Sequence, residues 1–176
     1  MQRRRWAFFS NLLGEVVKQV VGVADMRISG TGEDQLITYA LGSCLGITIH
    51  DPVAKVGGLL HVMLPLSTID PAKAEENPFM FVDTGVPRLF LECYKLGAKK
   101  ERLVVKVAGG SCASGNADDD YFQIGKRNIV MLRKLLWRNN VLLKSQDVGG
   151  SKSRTMTLDI DSGLVLIKSQ GIEVPL

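Results

Sequence analysis

The 176-residue chain lacks any apolar run approaching the roughly 18–20 residues needed to cross a bilayer, and it holds only three cysteines and two histidines. Cys44, Cys93 and Cys112 are odd in number, widely spaced and without a CxxC pair. That is no disulfide framework; it suits a reducing, cytoplasmic compartment and argues against a structural zinc site. There is no Gly-X-Y period or proline tract despite 18 Gly and six Pro, which leaves many turns as their use. A strong charge of one sign is missing too. The formal +4 is 22 basic against 18 acidic residues, and without Arg3, Arg4 and Arg5 it falls to 19 against 18. The cations at Lys99, Lys100, Arg102, Lys126, Arg127, Arg133 and Lys134 are interspersed with apolar positions, as on a solvated face. A nucleic-acid binder concentrates such residues into a basic footprint.

What is present is an ordinary globular mixture, 45% apolar and 23% charged, long enough to bury a core without disulfide or metal. Residues 1–19 read as an extension and 20–176 as one domain. Trp6, Phe9, Leu13, Val16, Val17 and Val20 fall at helical spacing behind the arginines, which predicts an amphipathic helix over Met1–Val20. It would touch an anionic membrane surface or a partner helix, or pack on the domain. No A-x-A cleavage site follows it, so a signal peptide is the weaker reading.

Beyond it, strands are predicted over Val21–Ile28, Leu36–Leu41, Leu103–Val107 and Val141–Gln146. Hairpins are predicted at Leu45–His50 with Gly58–Leu64 and at Thr155–Ile160 with Leu164–Lys168. Ser67–Asn77 reads as a surface loop. Asp83–Thr84 reads as the N-cap of a helix burying Val86, Leu89, Phe90, Cys93 and Leu96, and Lys126–Arg138 as a second helix burying Ile129, Leu132, Leu135 and Leu136. About eight strands and two helices without strict β-α-β alternation point to a single α+β domain: mainly antiparallel sheets packed in a sandwich, with the helices outside.

The first hairpin allows a test for chemistry. If His50 pairs with Gly57, then Gly46 faces His61, and Cys44 becomes a diagonal neighbour of His61 on one face, with Cβ atoms roughly 7–8 Å apart. A one-residue slip would put them on opposite faces. A thiol beside an imidazole is a nucleophile with its acid/base partner. Thr38, six residues before Cys44, shares the face if the chain stays extended and is a candidate to orient the ring. Gly42 and Ser43 form a turn able to aim backbone N–H groups at an oxyanion. Spacing alone also fits a small buried Cys44 and a satisfied core His61.

The other candidates are weaker. His50 lies about 20 Å along the strand from Cys44 and reads as a turn residue. Cys93 falls on an apolar helix face. Cys112 is a rival nucleophile on a Gly-rich loop that lacks the lysine of a phosphate-binding loop. Arg127 and Asn128, near the start of the second helix, either brace neighbouring loops or contact a substrate helix.

The segment T-Y-A-L-G-S-C-L-G-I-T-I-H-D-P-V-A-K-V-G-G-L-L-H-V-M-L-P from Thr38 closely resembles CheD, the chemoreceptor glutamine deamidase family of bacterial and archaeal chemotaxis. The likeness continues through Asp83 and its helix, K-V-A-G-G at 106–110, I-G-K-R-N at 124–128 and D-V-G-G at 147–150, covering about Val20–Lys168. The chain departs from the family at Ser111–Cys112, at the acidic Asp118–Asp120, and at Ser153 before Arg154. The resemblance implies a cysteine hydrolase, without metal or cofactor, that converts glutamines on the cytoplasmic helices of methyl-accepting chemotaxis receptors to glutamate. It implies Cys44 as nucleophile, His61 as acid/base and Thr38 as the histidine-orienting residue, and the phosphatase CheC as a partner. A regulatory module that binds CheC or receptor helices with little or no catalysis is the alternative.

Overall fold

The computed structural model describes residues 16–112 and 121–176. Ten strands run in the order β1 (Val17–Val20), β2 (Asp25–Ser29), β3 (Asp34–Leu41), β4 (Leu45–Asp51), β5 (Val56–Val62), β6 (Val104–Gly109), β7 (Leu143–Val148), β8 (Arg154–Asp159), β9 (Val165–Ser169) and β10 (Ile172–Pro175). Helix α1 (Pro71–Glu76) and α2 (Val82–Lys95) lie between β5 and β6, and α3 (Ile124–Arg138) lies between β6 and β7. The strands form two five-stranded sheets, ordered β1-β3-β8-β9-β10 and β2-β5-β4-β6-β7. Among the described strands, only β1 with β3 and β6 with β7 pair in parallel. The expected α+β sandwich of mainly antiparallel sheets is therefore observed.

Every residue of β4 and β5 is buried, because these central strands are covered on both faces. On one face Leu45, Ile47, Ile49, Leu60 and Val62 pack with Val86 and Leu89 of α2 and Leu132 and Leu136 of α3. On the other, Leu59 of β5 and Ala108 of β6 meet Leu36, Leu41, Met156, Leu158 and Ile167 of the first sheet. The result is three layers, sheet on sheet on helices, with alternate residues of β5 serving different interfaces. Helix α3 buries the predicted stripe at Leu132 and Leu136, with Ile129 and Leu135 packed beside it.

The first hairpin takes the expected register, His50 opposite Gly57 and Gly46 opposite His61. Four expectations are corrected. Of the helix predicted over Met1–Val20, residues 1–15 lie outside the described residues, and Val17–Val20 is a strand paired with Asp34–Ile37 of β3. Three valines within five positions suit either periodicity, and the open edge of β3 favours the extended form. Ser67–Asn77 is not all loop: Asp70 accepts a capping bond from Lys73 N–H and Pro71 starts α1. The residue capping α2 is Phe81, with no side-chain bond, whereas the Asp83 carboxylate accepts from Ser67 N and Oγ. Leu96, expected in the buried stripe of α2, is 52% exposed.

The first sheet also departs from regular alternation where it matters. Thr38 and Leu41 are both fully buried, yet they are three residues apart, a spacing that sends side chains to opposite faces of a flat strand. The ladder with β8 shifts between Thr38, opposite Met156, and Leu41, opposite Arg154. This bulge puts Tyr39 and Ala40 on the solvent side, with Ala40 at φ 56°, the left-handed region that a non-glycine residue seldom occupies.

Candidate active site

His61 sits on β5 with the parity of Leu59, so its ring enters the space between the sheets and is 1% exposed. Across that space Thr38 Oγ1 lies 2.8 Å from His61 Nδ1 and donates to the Val21 carbonyl at 2.8 Å. A hydroxyl has one hydrogen to donate. Val21 takes it, so the threonine oxygen must accept from Nδ1–H. The ring is thereby fixed with the basic lone pair on Nε2, and that buried nitrogen has no hydrogen-bond partner among the described residues. The expectation that Thr38 shares a face with Cys44 along one extended strand is replaced by a contact between sheets. Thr38 belongs to one sheet and His61 to the other, and the bulge plus the bend at Gly42–Cys44 carries the chain across.

Cys44 stands in that bend immediately before β4. Gly46 is paired with His61, so Cys44 is the diagonal neighbour, and its side chain packs on the inter-sheet cluster that His61 faces. Gly46 lets Leu41 pack directly on β4, since a Cβ there would fall 2.7 Å from Leu41 Cδ1. Desolvation by burial pushes the Cys44 thiol up, partly offset by a hydrogen bond from its own backbone N–H. Burial likewise pushes the His61 imidazole down. Both shifts favour an uncharged thiol and an uncharged ring at rest, so the geometry suits a base that takes the proton during attack better than a standing ion pair.

The turn that carries Cys44 is tied down carbonyl by carbonyl. Ser111 N–H donates to Gly42 O at 2.8 Å, Asn128 Nδ2 to Ser43 O at 3.0 Å, and Gly110 N–H to Cys44 O at 2.8 Å. Each peptide plane sets the next N–H antiparallel to the carbonyl before it, so the amides of Ser43 and Cys44 point away from those partners. Gly109 makes the arrangement sterically feasible: it has φ 112°, and a Cβ on it would lie 2.2 Å from Cys44 O.

Sequence reasoning placed Asn128 as a brace or a substrate contact. It is 0% exposed and braces two segments, donating to Met63 O at 2.9 Å as well as to Ser43 O. The available signal was its spacing, since Asn128, Leu132 and Leu136 fall on one helix face and a polar residue in such a stripe needs a partner inside. Arg127 is exposed, free of that constraint. The Val21 carbonyl that orients Thr38 was not foreseen. His50 is a buried staple, its Nε2 donating to Ile160 O at 2.8 Å. Cys93 is core, its thiol pushed up to about 12 by burial and then by the charge of Glu92. Cys112 lies three residues beyond β6 and donates its N–H to Gly150 O at 2.8 Å.

Residues 63–169 match the family model described as CheD chemotactic sensory transduction. A protein of Syntrophus aciditrophicus named probable chemoreceptor glutamine deamidase CheD 1 is 50% identical over 159 residues, 90% of this chain and 96% of that protein. A CheD of Solibacter usitatus carrying the same description is 50% identical over 86% of this chain and 89% of its own length. CheD 2 of Anaeromyxobacter dehalogenans is 42% identical over 89% and 97%. Similarity of this extent, spread over nearly the full length of both partners, shows that the chain belongs to the CheD family.

Proposed function

We propose that the protein is a chemoreceptor glutamine deamidase working through a thioester on Cys44. The observation that carries the reading is the ring of His61: Thr38 holds Nδ1–H, and the buried, unpartnered Nε2 is left as the base for a thiol on the same inter-sheet face. The relatives' names supply the substrate class, the glutamine side chains of chemotaxis receptors.

In the proposed cycle Nε2 takes the Cys44 proton as Sγ attacks the carboxamide carbon of a receptor glutamine. The oxyanion is held by the Ser43 and Cys44 amides, which the pinned carbonyls turn outward. Collapse breaks the C–N bond, and the imidazolium returns its proton to the departing ammonia. Water then attacks the thioester with Nε2 again as base, releasing glutamate and restoring the thiol. The new carboxylate alters charge spacing on a receptor helix, where like charges one turn apart are mutually destabilising. The reaction belongs in the cytoplasm, where such helices lie, and CheC is the partner implied by the family.

The test is mass spectrometry of a cognate receptor cytoplasmic fragment incubated with wild type, Cys44→Ala and His61→Ala. Gln-to-Glu conversion and ammonia release by the wild type alone are expected. Receptor binding without conversion in all three would replace the enzyme with a regulatory binding module. Peptide cleavage or amine incorporation would instead make the pair a thiol peptidase or a transglutaminase.

A further inference from the structure

We infer that Asn128 is a positioning residue that sets the distance between nucleophile and base, an inference that rests on the deamidase reading above. Its one amide nitrogen ties two segments that are remote in sequence: Ser43, adjacent to Cys44, and Met63, two residues beyond His61. Thr38 orients the ring of His61, but nothing in that contact fixes where the Cys44 turn stands relative to β5. Asn128 does so from the third layer of the fold.

The packing around it makes the clamp rigid. Gly125, one turn earlier on α3, lies so close to the chain after β6 that a Cβ would meet Gly110 O at 2.5 Å. Gly110 itself donates to Cys44 O. The start of α3 is therefore seated against the same backbone that holds the nucleophile turn, and Asn128 projects from it at full burial. A leucine would fill the volume and continue the stripe of Leu132 and Leu136 without polar atoms. The asparagine instead leaves its Oδ1 without a partner, and among the described residues the only other buried side-chain polar atom in that condition is His61 Nε2. An unsatisfied buried acceptor is unfavourable for stability. Its placement on the two backbone segments that carry the reacting pair fits a residue kept for geometry, since displacement of a reacting group by about 1 Å is enough to slow catalysis on the order of 100-fold.

The experiment pairs turnover with a readout independent of receptor. Iodoacetamide alkylation of Cys44 near neutral pH, followed on the Cys44-bearing peptide by mass spectrometry, is measured in wild type, H61A, N128A and N128A/H61A. Asn128→Ser, which retains one hydroxyl donor, serves as the milder variant. The expected result is that H61A and N128A each slow alkylation and that the double variant is no slower than either, because both disable one thiol–imidazole contact. With receptor fragment, kcat of N128A falls about 100-fold with KM within about twofold, and N128S lies between N128A and wild type.

Native alkylation and native kcat in N128A would overturn the inference. So would slowing that adds to that of H61A, because the residue would then act on the fold at large. Failure of both N128A and N128S to melt cooperatively would overturn it in the same sense. If alkylation in the otherwise unchanged chain is indifferent to His61, the thiol–imidazole reading itself fails and takes this inference with it. If alkylation behaves as expected but no receptor glutamine is converted, the clamp stands and only the substrate assignment falls.

Discussion

At the scale of single residues the site depends on one hydrogen atom. Thr38 commits its hydroxyl hydrogen to Val21 O and so presents His61 with an acceptor that carries no charge. A carboxylate in that place would stabilise an imidazolium at rest. Burial pushes the imidazole down, and a neutral hydroxyl adds no charge to oppose it, which favours the uncharged ring that the proposed mechanism requires. Thr38→Val preserves shape but removes the acceptor, so Nδ1–H loses its partner and the tautomer is no longer imposed. Removing the group that orients a metal-bound histidine typically costs about 10–100-fold in activity, and a loss of kcat of about that size is expected for Thr38→Val in receptor-fragment deamidation, with Thr38→Ser close to wild type. Equal activity in the valine and wild-type proteins would remove Thr38 from the mechanism. The residue types at 38, 44 and 61 were legible in the sequence. The direction of the hydrogen bond was not, because it depends on the Val21 carbonyl in a segment 17 positions away.

At the scale of elements, strand parity explains what was legible and what was not. Inside the unbroken β4–β5 hairpin, alternation fixes register, and the pairing of Gly46 with His61 follows from the pairing of His50 with Gly57. Parity cannot be carried through a bulge or a turn, which is why Thr38 was assigned to the strand face of Cys44 when it reaches the site from the opposite sheet. The parallel pairing of β1 and the bridging by Asn128 escaped for a related reason: both are set by partners distant in sequence, and local periodicity does not report them. The junction of β6 with the Cys44 turn shows how little slack these elements leave. Gly109→Ala would place a methyl against the Cys44 carbonyl, backbone on backbone, at a positive φ. Overpacking of this kind costs about 1–3 kcal/mol and the left-handed conformation about 1–2 more. A lowered melting temperature and sharply reduced deamidation are expected. An alanine variant with native melting and native activity would show that the turn has room to move.

At the scale of the whole molecule, the proposed site and a buried ion pair lie at opposite ends of the β4–β5 hairpin. Cys44 precedes β4, whereas Asp51 closes it, seven residues or roughly 23 Å away at the rise of a strand. There the Asp51 side chain, fully buried, receives Arg102 at 2.6–3.0 Å, Lys99 N–H at 2.8 Å and the N–H groups of Val53 and Ala54. Burial by itself would raise this carboxyl. The Arg102 guanidinium and the three backbone donors outweigh burial and hold it well below the usual carboxylate range. A carboxyl depressed in the folded state stabilises the fold fully above its unfolded pKa of about 4. That stabilisation is lost as pH falls below this value toward the folded one, since the unfolded chain takes up the proton first. Asp51→Asn removes the charge but not the shape, stranding Arg102 and weakening the ties among the β4–β5 turn, the Lys100–Arg102 turn and the segment after α2. Loss of one partner of a buried pair typically destabilises by about 3–5 kcal/mol. Because Arg102 is partly exposed, the lower end of about 3 kcal/mol is expected in urea unfolding at pH 7. The gap between the two proteins should narrow as the pH is taken below 4, and kcat at a temperature where both are folded should be unchanged. A pH-independent gap would mean that Asp51 acts through packing alone. A lost kcat in the folded variant would mean that the far end of the hairpin is coupled to the site, so that stability and catalysis could not be assigned to opposite ends of the same two strands.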